Sequence, residues 1–440
     1  MGQEENWRLI DRRDFMRRAG VLGAMSTFPG VLAACGSSDD ESGGGEGDGD
    51  ALKVGYVTPS TGALAAFAEA DKFILEGVRK SFADGIPTKK GSRKVEIIVK
   101  DSQSNPDRAG AVASDLILKD GVDLVLVAST PETTNPVSDQ CELNGMPCIS
   151  TMAPWQSWFF PRKGDPKKPF VNTWHYFWGL EDLTAVYTDI WGQLKTNKTV
   201  GALWPNDGDG NAFADPKTGF PAVLKQGGYT LRDPGRYENA TNDFSAQINR
   251  YKSGNADILT GVPIPPDFTN FYKQASQQGY RPGVVTIAKA VLFPSAVEAL
   301  GDLGEGLTSE VWWSPSHPFK SSLTEQGSKE LADAYTESSG KQWTQPIGFV
   351  HSLFEVAKDV MGRASDPKDK KAVVEAIKST NLDTIVGKVG WGSGPVPNVA
   401  KAPLTGGQWR RSGDKYDLVI VSNSTAEQIP KAEDARLIGA

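Results

Sequence analysis

Residues 51–62 read ALKVGYVTPSTG, and this stretch decides the fold class. The apolar and β-branched residues at 53–58 predict a buried strand, and Pro and Gly at 59–62 predict a turn at its carboxyl end. Residues 63–82 follow with apolar side chains at helical spacing, which predicts a helix. A strand, a turn and a helix in this order form the first half of a βαβ unit.

The same unit recurs along the chain. Residues 94–103, 122–129 and 146–151 predict further strands, each separated by a helical segment, and the alternation restarts after an aromatic, Pro- and Lys-containing insertion at 153–170. The second run has predicted helices at 180–194, 220–226, 243–253 and 267–278, and predicted strands at 199–207, 229–237, 256–263 and 284–290. Later segments predict helices at 327–338, 348–364 and 368–380 and strands at 386–392 and 415–422. Regular alternation of this kind predicts an α/β protein with two doubly wound parallel-sheet lobes.

Open parallel sheets bind ligands outside the carboxyl ends of their strands. The loops predicted at those ends are 59–67, 129–135, 151–158, 205–211, 262–267 and 287–293. Two lobes whose loops face each other form a cleft that can close on a small molecule.

The first fifty residues predict export rather than structure. Residues 11–18 read DRRDFMRR, residues 19–34 are uncharged, and LAAC at 32–35 looks like a lipobox with Cys35 as the lipidated residue. The paired arginines look like a twin-arginine signal. The alternative is a transmembrane anchor, but the uncharged run is shorter than the roughly 20 residues that a span requires. We expect residues 1–34 to be a signal, and the mature chain to be held by its lipid on the outer face of the cytoplasmic membrane.

Residues 35–50 are predicted to form a tether. After Cys35 they contain only Gly, Ser, Asp and Glu, so they have no apolar side chain to bury. A flexible chain of this length spans on the order of 20 Å. It would allow a globular body to dock on a membrane partner, or it is a spacer without a docking role.

Composition narrows the functional class. The 440 residues carry a formal net charge of −7 with no basic cluster, which argues against a nucleic-acid partner. There are three histidines and no nucleophile-elbow, zinc-protease or phosphate-loop motif. Asp207, Asp209 and Asn211 have calcium-loop spacing, but Ala212 and Thr218 occupy positions that need Gly and Glu. We expect no enzyme activity, no cofactor and no metal site, and we expect a monomer.

Two further features leave alternatives open. Cys141 and Cys148 either form a small-loop disulfide or remain buried thiols. Aromatic residues concentrate after the fourth strand and near the predicted inter-lobe connections, where their rings either sandwich an apolar ligand or pack the insertion against a lobe. These aromatic residues are Trp155, Trp158, Phe159, Phe160, Trp178, Trp204, Trp312 and Trp313.

The order of these elements, with KVGYVTPSTG first and TNPVSDQCELNGMPCIST in the fourth unit, resembles the type I solute-binding proteins of ABC importers, in particular the leucine/isoleucine/valine-binding subgroup. The resemblance covers residues 52–423. It implies two lobes joined by three strands, with crossings near 172–178, 310–315 and 400–406. Lobe 1 would hold 51–173 and 314–401, and lobe 2 would hold 177–311 and 405–440. It also implies closure around a solute and docking of the closed form on a membrane permease.

The resemblance also implies ligand contacts. An aromatic covering the ligand side chain matches Phe67, and a loop that holds a carboxylate matches 131–134, with Glu132 where a hydroxyl residue is usual. The implied contacts are Phe67, Glu132, Thr133, Thr134, Met152, Ala153, Asp209, Ile264, Lys289 and Phe349, and Trp155 is added from the aromatic cluster. In lobe 2 the family often has aromatics near Asp209 and Ile264, and we find neither in the sequence.

Lys289 is the main departure from the family pattern, because it aligns with the acidic residue that receives an amino acid's ammonium group. If Lys289 faces the cleft, it favours a ligand carboxylate; if the alignment slips, it is a solvated lysine. Glu132, on the lobe opposite to Lys289, can instead receive the ammonium group of the ligand, which would keep an amino acid possible in the reverse orientation. The predicted function is capture of a small organic solute for an ABC importer, and we expect that solute to be amino-acid-like or a carboxylate with some apolar or ring character. The alternative is a sensory module that passes the same closure to a signalling partner.

Overall fold

The computed structural model describes residues 51–439, and the predicted leader, Cys35 and tether lie outside the described residues. Residues 51–439 belong to one compact unit. Within this range no helix has both the length and the apolar character needed to cross a lipid bilayer.

Seventeen strands are present in the described part of the chain. In chain order they are β1 (Leu52–Thr58), β2 (Ile86–Thr88), β3 (Gly91–Arg93), β4 (Val95–Asp101), β5 (Leu124–Ala128), β6 (Cys148–Thr151), β7 (Thr173–Tyr176), β8 (Thr199–Leu203), β9 (Thr230–Arg232), β10 (Ile258–Gly261), β11 (Val284–Ile287), β12 (Thr308–Val311), β13 (Asn381–Thr384), β14 (Gly387–Gly390), β15 (Val399–Ala400), β16 (Thr405–Ser412) and β17 (Lys415–Ser422).

Thirteen α-helices accompany these strands in residues 51–439. They are α1 (Asp71–Ser81), α2 (Pro106–Asp115), α3 (Pro131–Leu143), α4 (Trp155–Phe159), α5 (Leu180–Gly192), α6 (Gly208–Phe213), α7 (Phe220–Gln226), α8 (Ser245–Ser253), α9 (Pro265–Gln277), α10 (Pro294–Glu298), α11 (Ser328–Ser339), α12 (Pro346–Arg363) and α13 (Lys370–Lys378).

The first large sheet has the strand order β15-β7-β6-β5-β1-β4, and all of its strand pairs are parallel. Its central strand β5 reads LVLVA, and all five residues are buried. A strand covered by helices on both faces needs this continuous apolar character. We call this sheet, together with the helices packed on it, lobe 1.

The second large sheet has the order β17-β16-β12-β11-β10-β8-β9, and we call it, with its helices, lobe 2. Its strands β8 to β12 are parallel, whereas β16 and β17 form an antiparallel hairpin on β12. Only two residues connect β16 to β17, and such a short connection requires antiparallel pairing. Gly413 in this turn has φ +64°, a conformation that glycine adopts at little cost. The α/β fold with parallel-sheet lobes that the sequence predicts is confirmed.

The chain crosses between the two sheets three times, after β7, after β12 and after β15. The crossing segments are bonded to one another. The Phe177 amide donates to the Ala400 carbonyl at 3.1 Å, and the Ala402 amide donates to the Phe177 carbonyl at 3.4 Å. Lys401 of the third crossing pairs with Asp182 at 2.7 Å, at the start of α5. The lobe boundaries predicted from the sequence stay a prediction.

Several local expectations differ from the structure. The helix predicted at 63–82 is a 3₁₀ turn at Ala65–Ala68 followed by α1, so Phe67 lies on a turn beside the strand end. The strand predicted at 229–237 covers only Thr230–Arg232, because Pro234 lacks the N–H that a sheet ladder requires. The insertion at 153–170 contains α4, and the sequence interpretation did not anticipate β16.

Cys141 lies on α3 and Cys148 begins β6, and both are buried free thiols. They pack in an apolar cluster between α2, α3 and β5. Burial raises the pKa of the Cys141 thiol well above its usual value, which keeps it protonated and unreactive. Of the two alternatives that the spacing left open, the structure has the buried thiols.

Candidate functional site

A cavity lies between the two lobes at the carboxyl ends of their strands, and it contains about 320 Å³ of empty space that is partly open to solvent. Both lobes and two of the crossing segments line it, which is the position expected for a ligand site in open α/β sheets. Lobe 1 contributes Phe67, Thr130, Met152 and Pro154; the crossings contribute Phe177, Trp178 and Trp312; lobe 2 contributes Asp209, Phe213, Val262, Ala288, Lys289, Leu292 and Glu310.

The aromatic residues of the crossings form the floor of the cavity. The Phe177 ring lies 4.8 Å from Trp178 and 5.3 Å from Trp312, measured between ring centroids. Phe349 on α12 packs behind this floor, 4.9 Å from Phe177 and 5.3 Å from Trp312. The indole nitrogens of Trp178 and Trp312 are buried, and neither has a hydrogen-bond partner among the described residues. The floor therefore presents apolar faces together with two available N–H donors.

The two lobes touch across the cleft beside this floor. Phe67 of lobe 1 makes an edge-to-face contact with Phe293 of lobe 2, with 4.9 Å between ring centroids. Glu132 at the start of α3 lies 3.4 Å from Lys289 of lobe 2. These contacts join the two lobes across the cleft in the described conformation.

Lys289 occupies the centre of a buried charged cluster. It follows β11, has a left-handed backbone with φ +64°, and is 4% exposed. Its Nζ lies 2.8 Å from Asp209 Oδ2 and 3.7 Å from Asp207 Oδ2, in addition to the contact with Glu132 Oε1. Its backbone N–H donates to Glu310 Oε1 at 3.3 Å, which fixes the loop that carries it. We name Glu132, Asp207, Asp209 and Lys289 the acidic cluster.

The acidic cluster contains three carboxylates and one ammonium group, so its formal charge is negative. Burial raises the pKa of Glu132 to about 7, although Lys289 lowers it in part, and burial also raises the pKa of Asp209. Burial lowers the pKa of Lys289, but Asp207, Asp209 and Glu132 outweigh it and raise that pKa well above its usual value. Lys289 is therefore charged at neutral pH, and its charge is already surrounded by carboxylates.

The local sequence positions each carboxylate of the acidic cluster differently. Asp207 is the N-cap of α6: its Oδ1 accepts from the Gly210 amide at 2.8 Å and its Oδ2 from Asn239 Nδ2 at 3.1 Å. Asp207 thus has a structural task in addition to its charge. Asp209 sits in the first turn of α6, and Glu132 sits in the first turn of α3. Both face the cleft from the ends of helices whose N-termini favour negative side chains.

Four of the residues predicted from the sequence line the cavity: Phe67, Met152, Asp209 and Lys289. Lys289 faces the cleft, and Glu132 meets it from lobe 1 without lining the cavity itself. Met152 lies at the end of β6 with φ +69°.

Thr133 and Thr134 point into lobe 1 rather than into the cavity. The Thr133 hydroxyl donates to Ser129 Oγ at 2.6 Å, and the Thr134 hydroxyl donates to the Ser129 carbonyl at 2.9 Å. Both hydroxyls therefore hold the loop after β5 in place. Thr130, one residue before α3, is the hydroxyl residue that lines the cavity.

The remaining predicted residues support the walls from behind. The Ala153 carbonyl accepts a hydrogen bond from His175 Nε2 at 2.7 Å. Trp155 Nε1 donates to Glu181 Oε1 at 3.1 Å, near the first crossing. Ile264 is buried at the start of α9, and its neighbour Val262 lines the cavity instead. Phe349 supports the aromatic floor without reaching the cavity.

Sequence reasoning missed several lining residues. Phe213 supplies an aromatic beside Asp209, and the pair is separated by four residues on α6, a spacing that places both on one helix face. Phe177 had no motif of its own, but its position beside Trp178 in a predicted crossing was a usable indication. Glu310 lies on β12, and nothing in its local sequence distinguished it from a structural residue.

The three histidines lie in the interior, away from the cavity lining. Burial lowers the pKa of His175 to about 3, of His317 to about 3 and of His351 to about 4, so all three are neutral at physiological pH. Each is hydrogen-bonded to a serine hydroxyl: Ser150, Ser314 and Ser321 respectively. Their role in this structure is to fill polar positions of the core.

The family model described as periplasmic binding protein matches residues 51–414. The chain belongs to the periplasmic binding protein family. No curated protein matches this periplasmic binding protein. The family and the structural neighbours are binding proteins and not enzymes, and the family is exported from the cytoplasm.

Solved structures with the same fold are similar over nearly their whole length. A leucine-binding protein from Thermotoga maritima has a TM-score of 0.67 at 18% identity, covering 85% of this chain and 99% of that chain. A branched-chain amino acid substrate-binding protein from Streptococcus pneumoniae, solved with isoleucine, has a TM-score of 0.66 at 15% identity, covering 84% and 99%. An ABC-transporter solute-binding protein from Rhodopseudomonas palustris, solved with 3,4-dihydroxybenzoic acid, has a TM-score of 0.69 at 16% identity, covering 86% and 98%. At these identities the similarity establishes the fold of this periplasmic binding protein and leaves its ligand open.

Proposed function

We propose that this protein captures a small organic solute by closure of its two lobes and delivers it to an ABC importer. The observation that carries the proposal is the cavity, whose lining comes from both lobes and from the crossings between them. A solute in this position touches both lobes only when they are closed. Its binding energy therefore shifts the population towards the closed form, which is the form a permease has to distinguish from the empty receptor.

The cavity lining supports a solute with an apolar or ring-bearing body. Phe67, Met152, Phe177, Phe213 and Leu292 present mostly carbon atoms to the cavity. Proteins of the same fold were solved with isoleucine and with 3,4-dihydroxybenzoic acid, so the fold accepts both aliphatic and aromatic bodies.

We further propose that the mature protein is a lipoprotein. Residues 1–34 would be removed on export, Cys35 would carry the lipid, and residues 36–50 would tether the body near the permease. The cavity-bearing body would then remain close to the membrane while it rotates freely enough to dock.

Ligand capture is tested on the full chain carrying Cys35→Ser, which prevents lipidation. Thermal unfolding is followed with panels of amino acids, aromatic acids, amides and amines, and each hit is followed by small-angle X-ray scattering. A ligand at about 100 times its Kd adds about 2.7 kcal/mol of stability, a shift of several degrees. A saturable hit that reduces the radius of gyration supports capture by closure. Binding without any change in scattering, or turnover of the bound ligand, contradicts it.

Delivery and anchoring are tested in cells. Uptake of the radiolabelled hit is compared between cells with the full chain, without it, and with Cys35→Ser. We expect uptake to require the chain, and we expect the unchanged chain to sediment with membranes while Cys35→Ser is found in the soluble fraction. Uptake that does not depend on the chain argues against an importer, and unchanged sedimentation of Cys35→Ser argues against the lipid.

A further inference from the structure

We infer that the solute is an organic amine without a carboxylate beside its nitrogen, held with its cationic nitrogen at Asp209, which belongs to the acidic cluster and lines the cavity, and with its body on the aromatic floor. This inference rests on the proposed function, since it names the ligand class of the same cavity. The inferred amine differs from the carboxylate ligand that Lys289 favours when only the sequence is considered.

The first argument is the pair of carboxylate oxygens left without partners. Glu132 Oε2 and Asp209 Oδ1 are buried, and neither has a hydrogen-bond partner in the described part of the chain. The hydroxyl of Thr130 lies close enough to Glu132, and that of Ser157 close enough to Asp209, to lower in part the pKa that burial raises in each carboxyl, although neither pair has full hydrogen-bond geometry. A hydroxyl donates one hydrogen bond, so each carboxylate keeps acceptor capacity for a further donor. Buried carboxylate oxygens accept hydrogen bonds and do not donate them when ionised, so a group with several N–H donors and a positive charge satisfies both.

The second argument is that Lys289 cannot recruit an anion. Its Nζ is 2.8 Å from Asp209 and within 4 Å of both Asp207 and Glu132. When its three carboxyl groups are ionised, the acidic cluster is net negative around one ammonium group. An approaching anion then meets net repulsion at close range, and an approaching cation meets net attraction. Lys289 instead pairs with Asp209 of its own lobe and joins lobe 2 to lobe 1 through its contact with Glu132.

Residues 131–134, at the start of α3, have no side-chain donor left for a ligand carboxylate. The hydroxyls of Thr133 and Thr134 are both donated to Ser129, within lobe 1. Pro131, the first residue of α3, has no N–H to donate. The next side chain is Glu132, whose carboxylate occupies the helix start where a ligand anion would have to bind. An α-amino acid would therefore bring its carboxylate against Glu132.

The rest of the cavity suits the body of such an amine. Aromatic faces next to a cation add a cation–π attraction, and Phe67, Phe177 and Phe213 line the same cavity as Asp209 and Lys289. The indole N–H groups of Trp178 and Trp312 have no partner within residues 51–439 and can donate hydrogen bonds to a neutral oxygen of the solute, such as a phenol or carbonyl oxygen.

The test uses matched compounds that differ only in charged groups. Tyramine, tyrosine and 3-(4-hydroxyphenyl)propionate form one series, and 3-methylbutylamine, leucine and 4-methylpentanoate form another. Isothermal titration of the full chain carrying Cys35→Ser at pH 8 is expected to give at least tenfold tighter binding of the amine than of the amino acid, and no binding of the acid. If an acid or amino acid binds tighter than its amine, or if neither amine binds, the inference is wrong.

Variants connect the binding to the named residues. Glu132→Gln and Asp209→Asn should each weaken tyramine binding at least tenfold, whereas Glu298→Gln, on an exposed side chain of lobe 2, should leave it unchanged. Lys289→Met should preserve amine binding, and tyramine should raise its Tm more than that of the unchanged chain. Loss of amine binding in Lys289→Met with an intact circular dichroism spectrum overturns the inference.

The outcome also separates this inference from the proposed function. If an acid binds tightly and the lobes close in solution, the proposed receptor function is supported and the inference of an amine ligand is rejected. If no compound closes the lobes, including the amino acids, aromatic acids, amides and amines of the thermal-unfolding panel, the proposed function itself is rejected.

Discussion

The floor and the acidic cluster are two ends of the same cavity, and they are built in different ways. The floor consists of Phe177, Trp178 and Trp312, which belong to the crossings and are held by apolar packing with Phe349 behind them. The acidic cluster joins Glu132 of one lobe to Lys289 of the other through charge. If the lobes open and close as proposed, we expect the floor to keep its shape in both forms and the cluster to be complete only in the closed form.

This difference separates two tasks. Apolar packing changes little with pH or salt, so we expect the floor to select the size and shape of the proposed solute in the same way at every pH. Buried charges respond to protonation and to an incoming cation, so we expect the acidic cluster to select the charge of the solute and to influence closure. Variants at the two ends should accordingly affect different measurements.

The largest effect is expected at the floor. Trp312→Ala removes a side chain that is 1% exposed and packs on both Phe177 and Phe349, and replacing a buried large aromatic by Ala costs about 3–5 kcal/mol of unfolding free energy. Urea unfolding measures this loss. Trp343→Ala, at a partly buried tryptophan outside the floor, is the control and should cost less. A loss below about 1 kcal/mol for Trp312→Ala would mean that the floor is not a packed unit.

A smaller effect, with a distinct pH dependence, is expected at Glu132. Its pKa is raised to about 7 in the folded chain from an ordinary 4.5, so between these values the folded state holds a proton that the unfolded state has lost. Its contribution to stability is complete below about pH 4.5 and is lost as the pH rises through about 7, on the order of 3 kcal/mol at 1.36 kcal/mol per unit.

Glu132→Gln removes this titration. Unfolding free energy measured from pH 4.5 to 8 should fall less steeply with pH in the variant than in the unchanged chain. Glu298→Gln should reproduce the slope of the unchanged chain, because its side chain is exposed and outside the cluster. Equal slopes for Glu132→Gln and the unchanged chain would show that Glu132 stays ionised and that the cluster is less enclosed than described.

The smallest effect is expected at Thr133. Thr133→Val keeps the shape of the side chain but removes the hydroxyl that donates to Ser129, which costs about 1 kcal/mol of stability. Because this hydroxyl points into lobe 1, titration calorimetry should give an unchanged Kd for any ligand of the cavity. A tenfold loss of affinity would show that Thr133 contributes to ligand binding, and the distinction between the floor and the acidic cluster would then be weaker.

Sequence patterns predicted the fold well because burial on both faces leaves continuous apolar runs such as LVLVA at β5. They predicted the loops at the strand ends, and the family resemblance then singled out Phe67, Met152, Asp209 and Lys289 within those loops as residues that line the cavity. They could not predict that Thr133 and Thr134 turn inwards, since a hydroxyl at a helix start has the same sequence signature in either orientation. They also could not show three carboxylates around Lys289, because that arrangement depends on two lobes meeting across 157 positions of sequence.

The bonds among the crossings have a mechanical consequence. Phe177 is hydrogen-bonded to both Ala400 and Ala402, so the first and third crossings cannot slide past each other without breaking backbone bonds. A motion of the lobes that keeps these bonds is therefore expected to be a rotation about the crossings. In such a rotation, atoms near the crossings move little and atoms far from them separate. We therefore expect the contact between Glu132 and Lys289 to break while Phe177 and Trp312 stay in contact. We therefore expect the proposed solute to lose its contacts at the charged end before it leaves the aromatic rings.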